Sequence, residues 1–294
     1  MKMVIYNAFI RTMADKVIEK GFIRVKNGKI AEIGDMSALL DVPAENDVNA
    51  DGLTLYPGFI DAHCHLGMWG DGLGFEGEDG NEDTDPSTPH LRAIDSINPM
   101  DRGFSEAIAA GVTTAITGVG SSNPIGGTFV AIKTAGSKRI DKLIVKSPVA
   151  VKFALGENPK KTFDTKDQTP VTRMATAAII REQLAKAARY NEDMGHYTVS
   201  VGTENELDPP EYDIKCEALI PVLNNKVKAH FHCHRADDIF TAIRIAKEFS
   251  LDYVLIHCTE GGLIADELAA EDGGIILGPL FGDRSKPELV NHSI

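Results

Sequence analysis

The sequence predicts an α/β fold, a series of strand–helix units from residue 56 onward, with a small all-β portion over residues 1–55. Three observations carry this reading. Apolar β-branched runs alternate with segments whose apolar residues recur at helical spacing. Before residue 55 only short strand signals occur. Several of the later apolar runs end on histidine, which sets imidazoles at the ends of successive strands.

Taken in order, Val4 to Ile10, Val17 to Val25 and Lys29 to Ile33 are β-rich, and Asn27-Gly28 between the last two is a strong hairpin turn. Composition agrees with a soluble enzyme: 294 residues with 43% hydrophobic content bury a sizeable core. Nothing at the start reads as a signal peptide or membrane span, so the cytoplasm is the expected compartment. A net charge of −13 argues against nucleic acid or an anionic membrane as partner and leaves a small-molecule substrate. A homo-oligomer is compatible with the sequence. Four cysteines suggest no disulfide framework.

The first strand of the larger portion runs toward Pro57-Gly58-Phe59-Ile60-Asp61-Ala62-His63-Cys64-His65. Residues two apart on a strand share a face, so His63 and His65 present two imidazoles side by side. Imidazole suits zinc and its first-row neighbours. The plainer reading is a pair of histidines capping a strand. This stretch closely resembles the signature with which the amidohydrolase superfamily opens its barrel, and the likeness, toward the branch with imidazolonepropionase-like proteins, extends over nearly the whole chain. It implies a TIM-type (β/α)8 barrel with a small β-sandwich portion built from the termini. It also implies a metal-dependent hydrolase of carbon–nitrogen bonds, with zinc or another divalent transition metal, one or two per chain.

Gly67 to Pro89 is glycine-rich and acidic, either a lid or a solvated insertion. Ser96 to Ala110 predicts a helix stopped by Gly111, and Val112 to Thr117 a strand in the form the superfamily uses for its second. Gly118 to Gly127 reads as a polar loop in which Ser121, Ser122 and Asn123 could bond a substrate. Two β runs follow, Thr128 to Lys133 and Lys142 to Val145. Then comes Val149 to Leu155, with Lys152 in the middle of an apolar strand. An unpaired buried ammonium is costly, so Lys152 must find a partner or lose its charge. In related binuclear enzymes a strand-four lysine is carbamylated and bridges two metals, and Lys152 sits in the matching context. Other members use a glutamate there, which Glu157 would match. Lys152 is favoured because its side chain is otherwise unexplained.

Lys160 to Pro170 reads as polar linker, Val171 to Asp193 as a helix ended by Gly195, and Asp213 to Leu223 as another. Strand five, Lys226 to Arg235, carries three histidines on one face. Matching the superfamily through His-Arg-Ala-Asp-Asp-Ile makes His232 the ligand. His230 is then a hydrogen-bonded core residue, and His234 and Arg235 are rim groups suited either to supporting the ligands or to contacts with a substrate carboxylate. Asp237 to Phe249 is helical, Leu251 to Cys258 a strand ending on His257, the next ligand by resemblance, Gly261 to Ala270 a helix, and Gly274 to Leu280 strand seven. No later residue matches the aspartate on which the family places its general base, so the barrel is expected to lack strand eight, with an open edge and exposed apolar faces. Three functions stay open: an amidohydrolase acting on a cyclic amide or acyl-amino compound, a heterocycle deaminase, and a truncated barrel that binds metal without turnover.

Overall fold

The computed structural model describes residues 2–14, 16–41, 44–70, 72–279 and 286–290. The chain divides into two units, Met1–Phe59 and Ile60–Ile294. In the first, β1 (Lys2–Arg11), β2 (Val17–Lys26) and β3 (Lys29–Asp35) form an antiparallel meander, and the short β4 (Val48–Asn49) and β5 (Thr54–Leu55) pair with β1 in parallel. Asn27 (φ 52°) and Gly28 (φ 74°) both take the left-handed conformation, as a two-residue hairpin turn requires. Where a sandwich portion was expected, the described residues form one five-stranded sheet, β3-β2-β1-β4 with β5 beside β1. Ala8, Ile10, Ile23 and Ala50 pack as its apolar cluster.

Among the described residues the second unit is built on seven strands in the order β12-β11-β10-β9-β8-β7-β6. They are β6 (Phe59–Cys64), β7 (Val112–Gly118), β8 (Ile125–Lys133), β9 (Ile144–Ala154), β10 (Lys228–Cys233), β11 (Tyr253–His257) and β12 (Gly274–Leu277). From β9 to β12 every pairing is parallel, but β8 runs antiparallel to both β7 and β9. The all-parallel barrel is therefore corrected at its third strand. The connection Val119 to Pro124 is too short for a crossover helix, which needs a dozen or more residues, so the chain can only turn back as a hairpin. The two β runs read around Lys142 to Leu155 are one strand, β9, whose pairing with β8 shifts register around Pro148, where a residue without an N–H is tolerated.

The sheet is strongly curled. β6 and β11 stand five neighbours apart, about 24 Å in a flat sheet, yet the rings of His63 and His257 on these strands lie 5.7 Å apart. On the two edge strands Phe59, Ile60, Ile275 and Leu277 are exposed.

Among the described residues six α-helices accompany this sheet: α1 (Arg102–Ala109), α2 (Glu157–Asp164), α3 (Arg173–Ser200), α4 (Ile214–Leu223), α5 (Ala236–Glu248) and the single turn α6 (Ala265–Leu268). Their caps explain their starts: Asp101, Thr172 and Asp213 accept backbone N–H groups of the first turns. Three expectations change here. α3 passes through Gly195, which is not in a left-handed conformation and so does not stop the helix. α2 starts before the stretch read as linker and runs into it as far as Asp164, since only Pro159 and Phe163 mark its buried side. The helix after strand six shrinks to a 3-10 turn, Gly261–Ile264, and α6. The last residue of the expected strand seven, Leu280, lies outside the described residues. Phe153, Phe231, Ile180, Leu184 and Ile243 join the main core between β9, β10 and helices α3 and α5. Among the described residues no helix is long and apolar enough to cross a membrane.

Candidate metal centre

Alternation on β6 gives His63 and, one residue past the strand, His65 the same side, and their rings stand 5.3 Å apart. β10 contributes His230 and His232, β11 ends on His257, and β9 contributes Lys152, whose register partner is His230. The curl of the sheet brings them together. The Lys152 Nζ lies 3.2 Å from His63 Nε2. Ring centroids of His232 and His257 are 4.6 Å apart, and those of His234 and His257 also 4.6 Å, stacked. Ligand atoms of His232, His234 and His257 all fall within 4.8 Å of one another.

The backbone fixes which ring nitrogens are free. His65 Nδ1 donates to the Gly118 carbonyl at 2.7 Å, and His257 Nδ1 to that of Gly278 at 2.6 Å. A carbonyl only accepts, so in each neutral ring Nε2 keeps its lone pair. A backbone carbonyl holding one ring nitrogen in this way fixes the direction in which the other can meet a cation. Burial, helped by the Lys152 charge, pushes His65 down to about 4. Burial also takes His257 to about 4 against its bond to Gly278, and His230 to about 3. His63 and His232 are driven lower still, chiefly by burial. The imidazoles are thus neutral near pH 7, the form that ligates metal. Lys152, fully buried, is brought down to about 7 by desolvation.

His63 Nδ1, His230 Nδ1 and His232 Nδ1 are buried with no hydrogen-bond partner among the described residues. For His230 this departs from the expected hydrogen-bonded core residue: the ring is buried, but it faces His63 at 6.1 Å and Phe129 at 5.5 Å. Orphaned nitrogens in a nest of neutral imidazoles, with no carboxylate among them, fit a cation as the missing partner.

Two predicted site residues stand elsewhere. β9 stops at Ala154 and Gly156, at φ +84°, turns the chain, so Glu157 opens α2 rather than extending the strand's alternation. Its N–H bonds the carboxylate of Glu288. Arg235 lies just before α5 with its guanidinium on Asp237 at 2.9 to 3.0 Å. Both line a cavity of about 400 Å³ next to the histidines, whereas His65, His232, His234 and His257 line one of about 270 Å³. Three polar side chains also reach the latter without a sequence signal of their own: Asn158, Thr259 and Lys286. Thr259 Oγ1 meets His234 Nδ1 at 2.7 Å.

Over 99% of its length the chain superposes on a crystal structure of an amidohydrolase from Thermotoga maritima, at a TM-score of 0.90 and 38% sequence identity, covering 73% of that protein. The chain belongs to the amidohydrolase superfamily. It is also 29% identical over 257 residues to Amidohydrolase tasK of Hapsidospora irregularis, a match that takes in 81% of this chain. The chain spans 26% of that relative's length. No family model matches the chain. In this superfamily member His63, His65, His232 and His257 sit near or just beyond the carboxyl ends of β6, β10 and β11, the end at which barrel enzymes collect their chemistry.

Proposed function

We propose that the chain holds a divalent metal centre and serves the hydrolysis of a carbon–nitrogen bond in a cyclic amide or acyl-amino compound. One observation carries the reading. Neutral imidazoles from three strands, buried on β10 and half-buried on β6 and β11, converge beside Lys152, which is fully buried and has no carboxylate partner among the described residues. His63, His65, His232 and His257 are the assigned ligands, and His234, buried and stacked on His257, is a further candidate rather than a rim group.

A divalent metal bound there supplies a Lewis acid that polarises a carbonyl and lowers the pKa of a water molecule. Zinc suits an imidazole-rich set. The protein's own part is to present lone pairs in fixed directions. The carbonyls of Gly118 and Gly278 hold His65 and His257 by Nδ1, and stacking on Phe129 at 4.9 Å steadies His63. In this reading Lys152 is carbamylated: its free amine adds to carbon dioxide, a proton leaves, and the carbamate would offer oxygen ligands on the side of His63. Glu157, in the other cavity, has no such part. Cys216, Cys233 and Cys258 are buried free thiols, which supports a reducing, cytoplasmic compartment.

Elemental analysis of metal per chain tests the reading in the wild type, Lys152→Ala and Glu157→Ala. The expected result is bound metal that falls in Lys152→Ala and holds in Glu157→Ala, together with hydrolysis of a cyclic amide or N-acyl compound by the longest natural form of the protein. A chain without metal refutes the reading. Metal indifferent to Lys152→Ala refutes the lysine's part in it.

A further inference from the structure

The cavity beside the histidines has a charge pattern unlike the rest of the chain. The protein's net charge is −13, yet among the described residues lining this cavity there is no aspartate or glutamate, and the cationic side chain is Lys286. Its Nζ donates to Asn158 Oδ1 at 2.8 Å. Asn158 Nδ2 in turn donates to Ser121 Oγ at 2.7 Å and lies 3.3 Å from His232 Nε2. An ammonium has three donors and this one spends one on Asn158; Ser121 accepts through Oγ and keeps its own O–H to give. One amide therefore ties together two donors at the edge of the histidine cluster.

The lysine is also held from the other side. Two residues on, buried Glu288 accepts the backbone N–H of Glu157 and faces the neighbouring cavity. Lys286 and Glu288 are thus both anchored on the first turn of α2, and their segment forms a wall common to the two cavities. Among the described residues no carboxylate forms an ion pair with Lys286. An ammonium fixed in this way, beside a hydroxyl, is ready for an anion brought by a ligand.

We propose that Lys286, with Ser121 and Asn158, forms a subsite for a substrate carboxylate, so that the compound cleaved is a small amide bearing a carboxylate group. The proposal rests on the hydrolase reading above. A single ammonium with neutral donors suits a carboxylate; a dianionic phosphate calls for a second cation or an arginine fork. The cavity, about 270 Å³, lies below the usual range for drug-sized ligands, so the amide is a small one.

The test is calorimetric titration of zinc-loaded protein, its metal content measured first, with N-acetylglycine and with the N-methylamide of N-acetylglycine. The acid binds about tenfold tighter than the neutral amide in the wild type, as one charge-assisted contact allows. Lys286→Met brings the two within about twofold of each other, and Lys286→Arg keeps a preference for the acid, with zinc content unchanged in both variants. Equal wild-type affinities, no binding of either compound, or a preference that survives in Lys286→Met overturns the proposal. Protein that takes up no zinc overturns the hydrolase reading instead. The comparison with Lys286→Met is then read on metal-free protein, where a lost preference still supports the subsite and a retained one overturns it.

Discussion

Replacing Lys152 by methionine measures what the buried lysine costs the fold. The side chain is fully buried, 3.2 Å from His63 Nε2 and 5.3 Å over the Phe129 ring, and desolvation takes it from 10.5 to about 7. At about 1.4 kcal/mol per pH unit, that difference disfavours the buried charged form by up to about 5 kcal/mol. A base whose folded pKa lies below its unfolded value leaves the unfolded chain holding the extra proton between about pH 7 and 10.5, so metal-free protein gains stability as pH rises through that window. Between pH 7 and 8.5, before unfolded-state cysteines ionise extensively, the gain is about 1.5 kcal/mol. Methionine has nearly the same length and no charge. Metal-free Lys152→Met is therefore more stable than wild type at pH 7, and its stability is nearly flat from pH 7 to 8.5. Urea unfolding in the presence of a chelator, at pH 7.0, 7.75 and 8.5, measures both. A flat wild-type profile, or a variant less stable than wild type by more than about 1 kcal/mol at pH 7, refutes the reasoning by showing that the ammonium has a stabilising partner.

Two further changes probe the frame around the site. Phe153 is fully buried and stacks on Phe231 at 4.9 Å, so Phe153→Ala costs about 3–5 kcal/mol and lowers the unfolding midpoint sharply; a midpoint close to wild type would show that the core collapses around the gap. Glu288 is raised from 4.5 to about 6, first by burial and then by Glu157 and Asp238, with the N–H of Glu157 opposing. An acid with a raised folded pKa loses stability as pH rises from about 4.5 to 6, so relative to Glu288→Gln, whose amide oxygen still accepts the Glu157 N–H, the wild type falls behind by at most about 2 kcal/mol across that window. Denaturant unfolding of both proteins at pH 4.5 and 6.5 gives the difference directly, and parallel profiles would contradict the environment assigned to Glu288.

Much of this protein was legible in one dimension because the determining physics is local. Period-two alternation put His63 with His65 and His230 with His232, Asn27-Gly28 fixed a hairpin through its own φ preferences, and an apolar strand interrupted by Lys152 announced an unusual site. The reversed direction of β8 was also implicit, in a connection too short to cross over. Other features depend on where the curled sheet carries the chain. The approach of His63 to His257 is a property of sheet curvature, which no local pattern records. Glu157, made a rival to Lys152 by the resemblance alone, stands away from the histidines because Gly156 turns the backbone at one point and the glutamate opens a helix. Lys286 reaches the histidines through bonds to residues more than a hundred positions earlier in the chain, and its own neighbours in sequence carry no sign of it. Sequence decided which side chains are available and which faces they share; the tertiary structure decided which of them meet, because closing the distance between strands is work done by the whole sheet.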